Sequence, residues 1–250
     1  VNKIIHVWVN GISGRVGQCL EALIHEDNTY KLLGGSSKET FLEESKKLKN
    51  AHLVIDFSTE AGNESLIHLL QKDPSLQKKS FLIGTTGLKK ENLHFWKSLP
   101  SKENEARVLI APNTSLGILF TREASLAIAR RANTEGFDLI LEETHHRYKK
   151  DAPSGTALFL ADSLATATGL RAVTDCDHKK NSPQETIHIH ASRGGGIFGE
   201  HTIRFISDNE EISITHRAFS RDLFAKGALF FGKWLHAQKG GFYSPENVSS

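Results

Sequence analysis

The chain has 250 residues, a formal net charge of +2 and 38% hydrophobic residues, enough for one large domain or two modest ones with real cores. A near-neutral balance with no concentrated basic face argues against a nucleic-acid partner, and no apolar run of about 18 residues is present to span a membrane. The two cysteines, Cys19 and Cys176, have no close-spaced companions for a metal site or a disulfide framework, so a reducing, cytoplasmic setting is expected.

The first half alternates two patterns. Lys3–Val9 is short, apolar and β-branched, and reads as a buried strand with no leader sequence before it. Glycines 11, 14 and 17 follow, and then a helix with Leu20, Leu23 and Ile24 on one face. Further strands are expected at Tyr30–Gly35, His52–Ser58, Ser80–Gly87 and Ala106–Asn113. Strands that alternate with helices imply right-handed crossovers and a mainly parallel sheet.

After Asn113 the texture changes. A long helix is expected over about Gly117–Asn133, then a strand over Phe137–Glu143. That strand leads into ETHHRYKKDAPSG, Glu143–Gly155, where histidines, lysines, an arginine and acids crowd together. Ser154 is placed to cap a helix running through TALFLADSLATAT. ETIHIHAS, EHTIRFIS and EISITHRA alternate with period two and read as antiparallel strands with one covered face. A last helix is expected over Asp222–His236, with the tail after Gly240 loosely held. The fold class that follows is α/β. A Rossmann-like doubly wound domain (1–114 and 222–250) precedes an α+β domain with a mostly antiparallel sheet (115–221) for substrate and oligomerisation.

GISGRVG sits between a strand and a helix, the context that a dinucleotide motif requires. Glycines let the backbone turn and approach a pyrophosphate, and the helix N-terminus offers N–H groups and partial positive charge. Arg15 adds a cation there. Gly11, Ile12, Ser13, Gly14, Arg15 and Val16 are therefore candidate cofactor contacts. An acid often follows the second strand to hold ribose hydroxyls; Ser37 and Lys38 stand there instead. They favour a 2′-phosphate, so NADPH is expected to bind at least as well as NADH. Loops after later strands also line such a crevice, which adds Gly84, Thr85, Thr86, Ala111, Pro112, Asn113 and Thr114. Asp56 either orients a loop at the crevice or serves as a helix N-terminal acid. His188 and His190 are expected on a polar strand face, and His-x-His alone gives no reason to expect a metal.

Seven motifs occur in one order: GISGRVG, VIDFS, GTTG, APNTSLG, EETHHRYKKDAPSGTAL, SRGGGIFGEHTIRF and ITHRAFSRDLFAKGA. Together they resemble the dihydrodipicolinate reductase family over nearly the whole chain. The resemblance implies NAD(P)H-dependent reduction of a small cyclic dicarboxylate, (hydroxy-tetra/di)hydrodipicolinate, to tetrahydrodipicolinate in lysine and diaminopimelate biosynthesis. It also implies a homotetramer joined through the second domain's sheet. It assigns proton transfer to His145 and Lys149, and substrate binding to His146, Gly155 and Thr156. Arg193, His201 and Arg221 fall in its motifs, Arg221 as a candidate near a carboxylate. Two departures stand out: Val16 where methionine is usual, and no acid at Ser37. The rivals are another two-domain NAD(P) dehydrogenase and a non-catalytic dinucleotide sensor. Each would lack a use for the His145 and Lys149 pair.

Overall fold

The computed structural model describes residues 4–102, 105–174 and 182–248; Cys176 lies outside them. The chain divides into two compact units, residues 1–115 with 221–250, and residues 116–220.

Unit 1 is built on six parallel strands. They are β1 (Ile5–Asn10), β2 (Tyr30–Ser36), β3 (Leu53–Asp56), β4 (Ser80–Ile83), β5 (Arg107–Ile110) and β11 (Gly241–Tyr243), in the order β11-β5-β4-β3-β1-β2. Every neighbouring pair is parallel. Helices α1 (Arg15–Glu26), α2 (Phe41–Glu44), α3 (Glu60–Lys72), α4 (Lys90–Ser98) and α7 (Asp222–His236) complete the unit. Strands β3 and β4 are buried at every position, as expected of a sheet covered on both faces. Trp8, Phe81 and Trp96 anchor one side of the core, with Leu66, Leu70 and Val108 packed among them. On the other side α7 lies close to β3, because a Cβ at Gly232 would meet Leu53. Tyr30 closes that side: its buried hydroxyl donates to the Leu229 carbonyl at 2.8 Å. Burial, helped by Asp27, pushes the phenol up to about 12. The expected loose tail is corrected here, since residues 241–243 pair with β5 as β11.

Unit 2 carries α5 (Leu116–Thr134) and α6 (Gly155–Thr168) on a five-stranded sheet. Its strands are β6 (Asp138–His145), β7 (Arg171–Val173), β8 (Thr186–Arg193), β9 (Glu200–Ile206) and β10 (Glu211–Arg217), in the order β10-β9-β6-β8-β7. The sheet is mixed. β9 runs antiparallel to β6 and β10, whereas β8 runs parallel to β6 and β7, which corrects the antiparallel expectation for β8. Leu139, Leu141, Leu160, Leu164, Ile187, Ile203 and Phe205 form the core. Burying each such side chain contributes about 1.5–3 kcal/mol. Ser154 caps α6 as expected, its hydroxyl accepting from Ala157 N at 3.1 Å, and Gly169 ends the helix in the left-handed region.

Candidate active site

In unit 1 the glycine loop bridges β1 and α1 at the carboxyl edge of the sheet. β1 has β2 on one side and β3 on the other, so the chain reverses direction across the sheet at this edge. Ligands of open α/β sheets bind at such switch points. Gly11 has φ 86°, and its amide donates to Ser36 O at 2.9 Å. A Cβ on Gly11 would lie 2.7 Å from the Phe57 carbonyl oxygen, and one on Gly17 would lie 2.6 Å from that of Ile12. The turn is therefore closed to larger residues. α1 opens with no side-chain cap at Gly14 and no acid in its first turn. A helix start that lacks its own cap and carries the exposed Arg15 beside it suits a phosphate group. These residues fit a dinucleotide.

Below the loop, Asp56 is fully buried. It accepts from Asn10 Nδ2 at 3.1 Å, Ser58 N at 3.0 Å and Asn63 Nδ2 at 2.5 Å. Burial raises its carboxyl above the ordinary range, although the bonds from Ser58 and Asn63 pull the other way. Asn10 also accepts from the Ser36 hydroxyl at 2.7 Å. Asp56 thus joins the ends of β1 and β3 to α3, and Asn10 extends the network to β2.

The other candidates in unit 1 follow the same strand ends. Ser37 and Lys38 come after β2, with Lys38 exposed. The Ser37 hydroxyl is engaged by Glu39 at 2.8 Å. Gly84, Thr85 and Thr86 follow β4. Gly84 is packed under the Phe57 ring, and the Thr85 hydroxyl points to the carbonyls of Asp56 and Ser58 at 3.4 Å. Ala111, Pro112, Asn113 and Thr114 follow β5. Thr114 donates to the Phe224 carbonyl at 2.7 Å, and the Asn113 side chain accepts from Ser115 N at 2.8 Å. Arg221 stands at the head of α7, in unit 1.

Unit 2 gathers the titratable candidates. β6 alternates strictly, with Leu139, Leu141, Glu143 and His145 on its buried side. Pairing then sets the neighbours: Glu143 faces His201 on β9, and His145 faces Arg193 on β8. Glu143 Oε1 accepts from Arg193 Nη2 at 2.9 Å and from Ser154 N at 3.1 Å. Its Oε2 stands 2.5 Å from His145 Nδ1, off the line of a hydrogen bond. Burial works to raise the Glu143 carboxyl, but the His145, Arg193 and Ser154 contacts outweigh it and hold the group at about 2. His201 is brought down to about 3, first by burial and then by the field of His145. It is therefore a neutral ring near pH 7. Its Nε2 lies 3.3 Å from Ser154 Oγ.

Strand β6 runs through His145, so a strand end and a turn join residues 145 and 149. Lys149 N donates to His146 O at 3.1 Å, and Lys149 Nζ pairs with Asp151 at 2.9 Å. The main chain of Asp151 meets the cluster, its carbonyl accepting from Arg193 Nη2. His146 is half-buried with its ring near Tyr148, and Arg147 is exposed. Gly155 and Thr156 head α6 directly after the Ser154 cap. His145, His146, Lys149, Gly155 and Thr156 all belong to unit 2, and the dinucleotide candidates all belong to unit 1.

Glu143 and Gly199 carry more of this site than the sequence reading assigned to them. Gly199 is buried, and a Cβ there would stand 2.9 Å from His145 Nε2. Strand parity was the available sign for Glu143, which shares a face with His145. His188 corrects another expectation: it is buried, with Nε2 3.0 Å from the Thr186 hydroxyl. Glu143, His145 and His201 present ligand atoms within 4.8 Å of one another. However, the 2.5 Å Glu143–His145 contact is tighter than the spacing of about 3 Å between two ligands of one ion.

The N-terminal model of dihydrodipicolinate reductase matches residues 5–114, and the C-terminal model matches residues 117–248. The chain belongs to the dihydrodipicolinate reductase family. It is accordingly an oxidoreductase that works with a nicotinamide cofactor. A 4-hydroxy-tetrahydrodipicolinate reductase from Nitratiruptor is 36% identical over 256 residues, covering 96% of this chain and 97% of the relative. Its counterpart in Aquifex aeolicus is 33% identical and covers 98% of both. Among solved structures, a dipicolinate-bound dihydrodipicolinate reductase from Paenisporosarcina superposes with a TM-score of 0.73 at 23% identity. It covers 98% of this chain and all of that one, which speaks for the fold. No helix among the described residues is long and apolar enough to cross a membrane.

Proposed function

We propose that this chain reduces 4-hydroxy-tetrahydrodipicolinate to tetrahydrodipicolinate, with His145 and Lys149 handling protons and the α6 N-terminus holding a substrate carboxylate. The observation that carries this reading is the buried Glu143–His145 pair at 2.5 Å, with Glu143 tied to Ser154 at the head of α6 and, through Arg193, to Asp151, the partner of Lys149. The family membership supplies the reaction class.

The balance of the reaction sets what these residues must do. The ring loses its hydroxyl as water, gains a hydride and gains a proton. The nicotinamide, when bound, supplies the hydride. Negative charge then develops on the conjugated ring, and a proton must reach it from an acid at hydrogen-bond range. His145 is that acid, acting through Nε2, against which only the side-chain-free Gly199 fits. The Lys149 ammonium stabilises the developing charge and serves as a second proton source. His146 and the amides of Gly155 and Thr156 bind a carboxylate, a favoured partner for a helix start. Unit 1 is the dinucleotide-binding domain, with Gly11–Val16 on the pyrophosphate. Gly84–Thr86 and Ala111–Thr114 lie along the nicotinamide side.

NADPH binds at least as well as NADH. Lys38 carries this preference, since the Ser37 hydroxyl is engaged by Glu39. The subunits form a homotetramer through the sheet of unit 2, where edge strand β10 shows the exposed Ile212. Its setting is the cytoplasm, and neither nucleic acid nor membrane is a partner. The test of the reaction is NADPH oxidation on adding freshly made product of dihydrodipicolinate synthase. Light scattering tests the tetramer.

A further inference from the structure

Glu143 holds a position that the reaction as written does not use. Its side chain is wholly out of solvent, two residues before His145 on the same face of β6. We propose that Glu143 is the positioning residue of the site: its carboxylate fixes the His145 imidazole as the Nδ1–H tautomer, so that Nε2 is the atom that exchanges the proton with substrate. This rests on the reading of His145 as the proton carrier.

The geometry argues the tautomer directly. The contact lies off the line of a hydrogen bond, yet a lone pair on Nδ1 would repel a carboxylate oxygen at 2.5 Å, whereas an Nδ1–H needs only a rotation of the ring to donate to it. Nδ1 therefore carries hydrogen, and in the neutral ring Nε2 does not. Nε2 in turn lies beside Gly199, where any side chain would press on it, a Cβ standing 2.9 Å away. The carboxylate cannot swing away, since Arg193 Nη2 and Ser154 N hold its other oxygen at 2.9 and 3.1 Å. The ring is also steadied from the side by His201, edge-on with centroids 5.1 Å apart.

The neighbours do not offer the same service. Arg193 donates to Glu143 and to the main-chain carbonyls of Ser192 and Asp151. His201 Nε2 lies 3.3 Å from Ser154 Oγ and 3.9 Å from Glu143 Oε2. The charges and titratable groups around His145 are Glu143 on β6, Arg193 on β8, His201 on β9 and His216 on β10. Lys149, with its partner Asp151, adds the turn after β6. Glu143 is the one carboxylate among them in contact with the ring among the described residues.

Nitrogen-15 NMR of the wild-type enzyme, with His145 assigned by the signal lost in His145→Gln, reads the tautomer without disturbing the site. The expected result, at a pH where the ring is neutral, is hydrogen on Nδ1 and none on Nε2; hydrogen on Nε2 overturns the proposal. Kinetics give the second readout. Glu143→Gln is expected to lower kcat about 10-fold or more, with the KM for NADPH unchanged. The alkaline limb of kcat should move in this variant, since the carboxylate that faces Nδ1 is gone. Ser154→Ala loosens the same helix start but keeps the carboxylate, and its limb should stay at the wild-type pH. A limb that stays put in Glu143→Gln, or moves equally in Ser154→Ala, reduces Glu143 to a structural part and overturns the proposal. If His145→Ala keeps the wild-type rate, the proton-carrier reading fails, whatever the tautomer. If it is inactive and hydrogen is found on Nε2, the positioning inference alone fails.

Discussion

Ser154 Oγ and His201 Nε2 stand 3.3 Å apart, which joins the cap of α6 to a histidine buried in β9. The His201 ring is neutral near pH 7 because burial and the field of His145 hold it at about 3, against an ordinary value of 6.5. A depressed histidine makes the unfolded chain the better proton binder between those two values. Stability is thus fully present above about pH 6.5 and falls as the pH drops towards 3, by up to about 1.4 kcal/mol per pH unit. Thermal unfolding of His201→Gln should show a shallower loss between pH 6.5 and 4 than the wild type. Equal slopes would remove His201 from the account.

Glu143 adds to the same trend at lower pH. Its carboxyl lies at about 2 in the fold against an ordinary 4.5. A depressed acid contributes stability above its unfolded value and loses it as the pH falls through the folded one. The Glu143 share is on the order of 3 kcal/mol and disappears between about pH 4.5 and 2. Glu143→Gln should flatten the unfolding curve in that window. It should also be less stable than the wild type at pH 7, where the buried hydrogen bonds to Arg193 and Ser154 are weakened.

The glycine loop predicts a separate failure. A Cβ at Gly17 would lie 2.6 Å from the Ile12 carbonyl oxygen, and the backbone must shift to admit it. Gly17→Ala should cost about 1–3 kcal/mol of stability and weaken NADPH binding, while binding of pyridine-2,6-dicarboxylate to unit 2 stays near the wild-type level. Calorimetric titration with each ligand separates these outcomes. Unchanged NADPH affinity would detach the loop from the cofactor.

Cofactor choice is tested at Lys38. Lys38→Glu should lower kcat/KM for NADPH relative to NADH, because a carboxylate repels the 2′-phosphate and suits the ribose hydroxyls. A strong NADH preference in the wild type would refute the proposed role of Lys38.

Much of this was legible in residue order. Short apolar strands alternating with helices give the parallel sheet of unit 1, and the glycines mark its turning edge. Asp222–His236 and the Ser154 cap were readable from apolar spacing and capping chemistry. The direction of β8 was not, because period-two alternation looks the same in parallel and antiparallel strands. Residues 241–243 hid as a tail, since three residues give too little pattern to read as β11. His188 misled because the first half of β8 is buried throughout rather than alternating. In the active site, the crowd of charges was visible but the division of labour was not. Two adjacent acids, Glu142 and Glu143, differ only in which face of β6 they take, and that is fixed by the strand phase through His145.

The central claim is that His145 and Lys149 serve the reduction itself. The most direct measurement is steady-state NADPH oxidation with freshly made dihydrodipicolinate synthase product, comparing the wild type with His145→Ala and Lys149→Ala. The account predicts turnover in the wild type and a loss of kcat of about 100-fold or more in each variant, with the KM for NADPH little changed. Wild-type rates in both folded variants would contradict it.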